Sequence, residues 1–265
     1  MSASIWRRPD GGASNDLAAF DALCAERAEA TGFVRSVLGE ALGRTIAAWE
    51  RAAASSRAPH VLIAAGFHGE EAAGPWGVLE FLGSTPPDLL DRAHLVLLPL
   101  VNATGFAAGQ RLNALGENPN RGYGAARGDD RPSAEGEVLL SHSARLAEAG
   151  RDGVLSCHED RWLRHAYVYS FESGPPGAFS RSLVETAARW FAVAPDGEID
   201  GCVVRDGLIH NHYDGSFEAW LSECGAAVAA CIETPGEADF ARRVQAQAAL
   251  MRTFVEMRVA ESALR

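Results

Sequence analysis

The sequence predicts a single α/β domain built on a mixed, mostly parallel sheet with helices on both faces, and three observations carry that prediction. Residues 60–65 (HVLIAA), 94–101 (HLVLLPLV) and 153–157 (GVLSC) are short continuous apolar runs, the pattern of strands covered on both faces. Helical segments follow the first two, at 71–83 and, beyond a long loop, at 133–149. A chain of 265 residues, 47% of them hydrophobic, can bury one sizeable core, so residues 1–265 are expected to form one domain with a flexible stretch at 1–14.

Taken in order, DLAAFDALCAERAEA (16–30) spaces Leu17, Phe20, Leu23 and Cys24 three and four residues apart, which predicts a surface helix with Asn15 as its cap. GFVRSVLGEALGRTIAAWERA then offers two apolar runs separated by Gly39 and Gly43; this fits a hairpin, although its alanines also permit a helix. Residues 102–132 form a long loop rich in Gly and Asn with four arginines, and long ordered loops tend to be functional. AAVAACIE (226–233) is another buried strand, and FARRVQAQAALMRTFVEMRVAESAL is a closing helix.

The net charge of −11, with Lys and Arg scattered, argues against nucleic acid or an anionic membrane surface as a partner. No apolar stretch is long enough for a secretion signal or a membrane span, so a cytoplasmic location is expected; oligomeric state is left open. Five cysteines without a CxxC pair read as buried free thiols.

The chemistry gathers where the strands end. In parallel sheets ligands bind beyond the carboxyl ends of the strands, where His68, Asn102 and His158 all fall. His68 and Glu71, in GFHGEEAAG, offer a nitrogen and an oxygen donor three positions apart, and His158 in SCHED completes a His, Glu, His set. Such a set suits one zinc ion, which polarises a carbonyl and acidifies a water. Either histidine can instead be a hydrogen-bonded core residue, and HGEE can simply open a helix with favourable acidic charge. His60 and His94 begin strands at the opposite end, His142 reads as helical and exposed, and His165 as structural. Arg111 and Arg121 are the candidates for stabilising an oxyanion and for gripping a substrate carboxylate, while Arg127 and Arg131 read as solvated charges. Glu233, at the end of AAVAACIE, brings a carboxylate to the same sheet edge, placed to move a proton.

From about Gly32 to Glu233 the chain resembles the zinc carboxypeptidase family. HGEE looks like its HxxE ligand pair, NATGFAAGQRLNALGENPNR like its stretch from NPDG through the catalytic arginine to the Asn-Arg pair, SCHED like its third ligand, and CIETP like its general-base strand. The resemblance implies that fold, with about eight strands. It also implies one Zn2+ on His68, Glu71 and His158, Arg111 polarising the scissile carbonyl, Asn120 and Arg121 holding the substrate's carboxylate, and Glu233 as general base and acid. RPSAEGEVLL and GSFEAW also fall where the family pattern expects them. Nine residues from Arg111 to Asn120 resemble the compact bacterial murein peptide amidases, which release diaminopimelate from a γ-D-glutamyl bond.

Three departures stand out. Asn118 occupies the position of an aspartate that orients a zinc histidine, and an amide oxygen leaves that ligand less basic. The usual aromatic after the Asn-Arg pair is missing, and HEDRWLRHAYVYSFE carries unusual charge beyond the third ligand. Tyr213 is the nearest candidate for the tyrosine that closes over substrate in digestive members. The expected activity is hydrolysis of a peptide or isopeptide amide beside a free carboxylate, in a small peptide or acyl amino acid. Deacylation of an N-acyl amino acid, as in the succinylglutamate desuccinylase and aspartoacylase branch, is the alternative, and a non-catalytic metal-binding protein the third reading.

Overall fold

A computed structural model describes residues 15–264; the predicted flexible stretch at 1–14 lies outside the described residues. The chain begins with α1 (Leu17–Ala30), the hairpin β1 (Val34–Ala41) and β2 (Arg44–Arg51), β3 (His60–Ala65), α2 (Ala73–Ser84), α3 (Pro87–Leu90) and β4 (His94–Leu98). It continues through α4 (Ala103–Ala108), α5 (Ala134–Ser141), α6 (Ser143–Ala149), β5 (Gly153–Asp160), β6 (Tyr167–Glu172) and α7 (Ala178–Ala188). The short strands β7 (Gly197–Ile199), β8 (Cys202–Val204) and β9 (Leu208–His210) precede α8 (Phe217–Glu223), β10 (Val228–Pro235) and the closing helix α9 (Phe240–Ser262).

Eight strands form one sheet in the order β1-β2-β4-β3-β5-β10-β6-β9. Its centre, β4-β3-β5-β10, is parallel, and antiparallel pairings flank it at β2/β4 and β10/β6. The alternation of side chains along each strand divides the core in two. Val61, Ile63 and Ala65 of β3 pack with Phe81 of α2 and with Met251 and Phe254 of α9 on one face. Leu62 and Ala64 pack with Leu146 of α6 and Phe217 and Trp220 of α8 on the other. Helices therefore cover both faces, as expected for strands without polar positions.

Local details correct the sequence reading. Asp16, not Asn15, caps α1, because its carboxylate accepts from Ala19 N at 2.9 Å. Asn15 instead donates to the carbonyls of Gly69 at 3.0 Å and Phe106 at 2.7 Å, tying the start of α1 to the loop after β3. Between β1 and β2 the hairpin reading holds, with Leu42 and Gly43 both at positive φ in its turn. The expected helix at 133–149 is two helices: His142, half-buried, ends α5 and places its Nε2 2.6 Å from Leu38 O. Residues 102–132 are not all loop, since α4 and a 3-10 turn at Ala125–Arg127 lie within them. Four cysteines are buried as free thiols, whereas Cys224 is exposed.

Candidate active site

Beyond the carboxyl ends of β3, β5 and β10, the sheet places three potential metal ligands and an acid around one cavity of about 330 Å3. On β5, residues 154, 156 and 158 share a face, so Ser156 and His158 follow Val154 towards the α8 side. Glu233 of β10 sits opposite His158 in the parallel register, bringing the carboxylate and the imidazole to one edge.

His68 arrives differently, on the loop after β3. That loop crosses the start of α4 so closely that a Cβ on Gly69 would lie 1.9 Å from the carbonyl carbon of Gly105. Only glycine permits that approach. Asn102 braces the crossing: its Nδ2 reaches Phe67 O at 3.1 Å and Arg111 O at 3.2 Å, while its Oδ1 accepts from Gly105 N at 2.8 Å.

The three donors converge. His68 Nδ1 is 2.7 Å from Glu71 Oε1, His158 Nδ1 is 2.8 Å from Glu71 Oε2, and the two Nδ1 atoms are 3.2 Å apart. A tetrahedral ion with ligands at ~2.0–2.1 Å holds its donors about 3.3 Å apart, so this set fits a metal. Both outer nitrogens also have partners, which points each Nδ1 inwards: His68 Nε2 is 3.1 Å from Asn118 Oδ1, and His158 Nε2 is 2.9 Å from Ser156 Oγ.

Burial and charge shape the electrostatics. Burial depresses the imidazole of His68 despite Glu71. Burial also opposes protonation of His158, but Glu71 outweighs it and lifts the group to about 9. Burial alone would raise Glu71; the two histidines reverse this and hold it ionised. Burial pushes Glu233 well above the ordinary glutamate value, with His158 opposing and Glu71 and Asp160 adding to the rise. Its Oε2 has no hydrogen-bond partner among the described residues, which leaves that oxygen available to a water or substrate proton.

Arg111 is half exposed at the mouth, with one guanidinium nitrogen 3.1 Å from Glu71 Oε1. Arg121 pairs with Asp214 at 2.9 Å and donates to Asn120 O at 2.7 Å. Asn120 is buried; its Oδ1 accepts from Phe217 N at 2.9 Å and its Nδ2 lies 3.3 Å from His158 Nε2. Seven of the eight sequence candidates line the cavity, and Tyr213 does not. Its hydroxyl sits 3.4 Å from Ser222 Oγ and its ring packs on Phe171, because the turn before α8 carries it to the outer surface. Tyr167 and Tyr169 of β6 face the cavity instead.

Several supporting residues escaped the sequence reading. Ser156 had a detectable signal, lying two positions before His158 on one strand. Glu159, on the opposite face, accepts from Ala73 N at 2.8 Å and from Arg243, joining β5 to α2 and α9; no local pattern reveals those partners. Glu218 in α8 is buried and lines the cavity.

A hydrolase built on an α/β sheet, with a His-Glu-His set able to hold a metal and a half-buried carboxylate beside it, is the class that this fold and site define. The chain is 46% identical to a Shewanella baltica protein described as a putative metallopeptidase, over 96% of this chain and 99% of that one, with a TM-score of 0.90. The fold is shared more distantly with a metallo-carboxypeptidase from Burkholderia cenocepacia (18% identity, 92% of this chain and 69% of that one, TM-score 0.68). It is also shared with the murein-tripeptide amidase of Escherichia coli O157 (18%, 84% and 91%, TM-score 0.57). Residues 57–149 match the family model of the succinylglutamate desuccinylase/aspartoacylase catalytic domain. No curated protein matches the sequence. The chain belongs to the same family as the Shewanella metallopeptidase-like protein, and its fold is that of the metallo-carboxypeptidases. It is accordingly a hydrolytic enzyme. Among the described residues no helix is long and apolar enough to cross a membrane.

Proposed function

We propose that this enzyme uses one zinc ion to hydrolyse a peptide or isopeptide amide next to a free carboxylate, in a small peptide. The observation that carries the reading is the alignment of Glu233 with His158 in register, one oxygen of that glutamate being unpartnered. His68, Glu71 and His158 would hold the ion, which when bound supplies a Lewis acid for the carbonyl and for water.

The chain's own groups do the rest. Glu233, whose burial beside Glu71 and Asp160 raises its proton affinity, takes a proton from the attacking water and returns it to the leaving nitrogen. Arg111, free to swing from Glu71, donates to the carbonyl oxygen as negative charge grows there. Arg121 exchanges Asp214 for the substrate's carboxylate, whose two oxygens match the guanidinium fork. Asn120 fixes that arginine through its carbonyl and anchors the start of α8. A cell-wall peptide of the γ-D-glutamyl-diaminopimelate type is the substrate favoured by the compact arginine loop. No nucleic acid or membrane partner is proposed, and the cytoplasm is the proposed location.

A second reading, deacylation of an N-acyl amino acid, is favoured by the family-model match over residues 57–149. A substrate screen decides between them. Purified zinc-loaded protein is offered γ-D-glutamyl-diaminopimelate peptides, acylated C-terminal dipeptides and N-succinyl or N-acetyl amino acids, with and without chelator. Chelator-sensitive release of an amino acid from the peptides supports peptidase or amidase action. Turnover confined to the N-acyl amino acids replaces it with the deacylase reading.

A further inference from the structure

A second cavity, of about 460 Å3, lies between α1 and the β1/β2 hairpin and shares no lining residue with the cavity beyond the strands. The sequence explains why space remains there. Thr45, Ala47 and Trp49 alternate onto one face of β2 and line it, whereas Ile46 and Ala48 turn to the other core. Thr45 and Ala47 are short and leave a gap beneath the helix. Opposite them, Leu17, Phe20, Asp21, Cys24 and Ala25 form the facing stripe of α1 at helical spacing. Phe20 is backed firmly, packing on Trp76 and Phe106 with ring centroids 5.6 and 5.4 Å away.

The rim of this cavity is charged. Arg35, opposite Trp49 in the hairpin register, and Arg44, at the start of β2, both line it. Other arginines around the hairpin are committed, Arg51 to Asp91 and Arg145 to Glu50. Arg35 and Arg44 have no ion pair or hydrogen bond among the described residues. Asp21 lies within electrostatic reach of both guanidiniums without pairing with either; burial raises its proton affinity and the two arginines oppose the rise. The wall therefore carries one positive charge in excess above a mostly apolar floor. That composition, and a volume within the ~300–1,000 Å3 usual for small ligands, are those of a small-molecule site.

We infer that this cavity binds a small apolar monocarboxylate, of the medium-chain fatty acid class. The carboxylate lies between Arg35 and Arg44, whose charge Asp21 only half balances, and the chain lies over Phe20, Trp49 and Leu100. Two guanidiniums disfavour a cation there, and Asp21 disfavours a dianion. The inference is independent of the hydrolytic reading, because the walls of the two cavities are separate.

Calorimetry on the zinc-loaded protein tests this with octanoate as the probe, compared with acetate, which lacks the chain, and with 1-octanol and octylamine, which lack the anion. Octanoate is expected to bind about tenfold or more tightly than each of the three. The double variant Arg35→Ala, Arg44→Ala should lose that preference, and Ala47→Phe, which fills the space, should lose binding altogether. Arg121→Ala controls for a carboxylate held beside the zinc ligands and should bind octanoate as the wild type does. Circular dichroism and metal content establish that each variant is folded; where Ala47→Phe is not, the arginine variant decides by itself. No measurable octanoate binding overturns the inference, as does octanol or octylamine binding as tightly. So does a double arginine variant that keeps the wild-type affinity, or a loss of binding in Arg121→Ala, which would place the ligand in the active site.

Discussion

His68 Nε2 lies 3.1 Å from the amide oxygen of Asn118, which also accepts from Asn120 N at 3.0 Å. This pair fixes the imidazole with Nε2 as donor and Nδ1 facing Glu71, and does so without a second negative charge. Asn118→Asp makes the ligand more basic and should tighten zinc binding by about tenfold, whereas Asn118→Ala should weaken it by roughly 10- to 100-fold. Competition against a chromophoric chelator measures both. Equal affinities in the three proteins would show that Asn118 does not support the ligand.

Glu233→Gln should lower kcat by on the order of 10²–10⁴ while retaining the metal, because the amide keeps the shape and loses the proton-accepting oxygen. In the wild type the ionised form takes the proton, so kcat/KM should rise with pH through an acid limb. Burial raises this group, which places the limb above the ordinary value of 4.5. A near-normal rate in the variant removes Glu233 from the mechanism.

Gly69→Ala should damage the site through the backbone alone. The added methyl collides with Gly105 at the crossing that carries His68, and overpacking of this kind costs ~1–3 kcal/mol. A lower Tm accompanied by weaker metal binding is expected. Wild-type stability with full metal content would mean that the crossing relaxes freely.

Glu218→Gln should alter stability in a pH-dependent way. The folded-state pKa of Glu218 is raised above its ordinary value of 4.5, so between the two the native protein holds a proton that the unfolded chain has released. Wild-type stability therefore declines as pH rises through that window, and the glutamine removes the decline. The variant should gain on the wild type from about pH 4 upwards and keep the gain at neutral pH. Urea unfolding at fixed metal content, compared at acid and neutral pH, reads the difference. A variant less stable at neutral pH than at acid pH, relative to wild type, contradicts it.

Tyr213→Phe should change kcat/KM less than threefold, since the hydroxyl lies beside Ser222 and the residue does not line the cavity. A loss of an order of magnitude in kcat would show that the turn bearing it closes over substrate.

The sequence by itself determined the central strands and most of the site. The apolar runs of β3, β5 and β10 are continuous because both faces are covered, and that continuity places His68, His158 and Glu233 at one edge before any coordinates are known. Spacing offered Glu71, three residues after His68, and the long loop offered Arg111 and Arg121, whose roles came from the family resemblance; all three line the cavity. What only the tertiary structure decided are contacts between segments distant in sequence. Asn102 holds Phe67 and Arg111, Arg243 reaches Glu159 from a helix 84 residues later, and α8 brings Glu218 into the cavity while its preceding turn takes Tyr213 out. The division has one physical cause. Periodicity and local capping are encoded within a few residues of chain, so they can be read there; a hydrogen bond, ion pair or cavity wall between remote segments depends on how whole layers pack. Even α1 shows this, since Asp16 caps the helix while Asn15 holds the loop that carries His68.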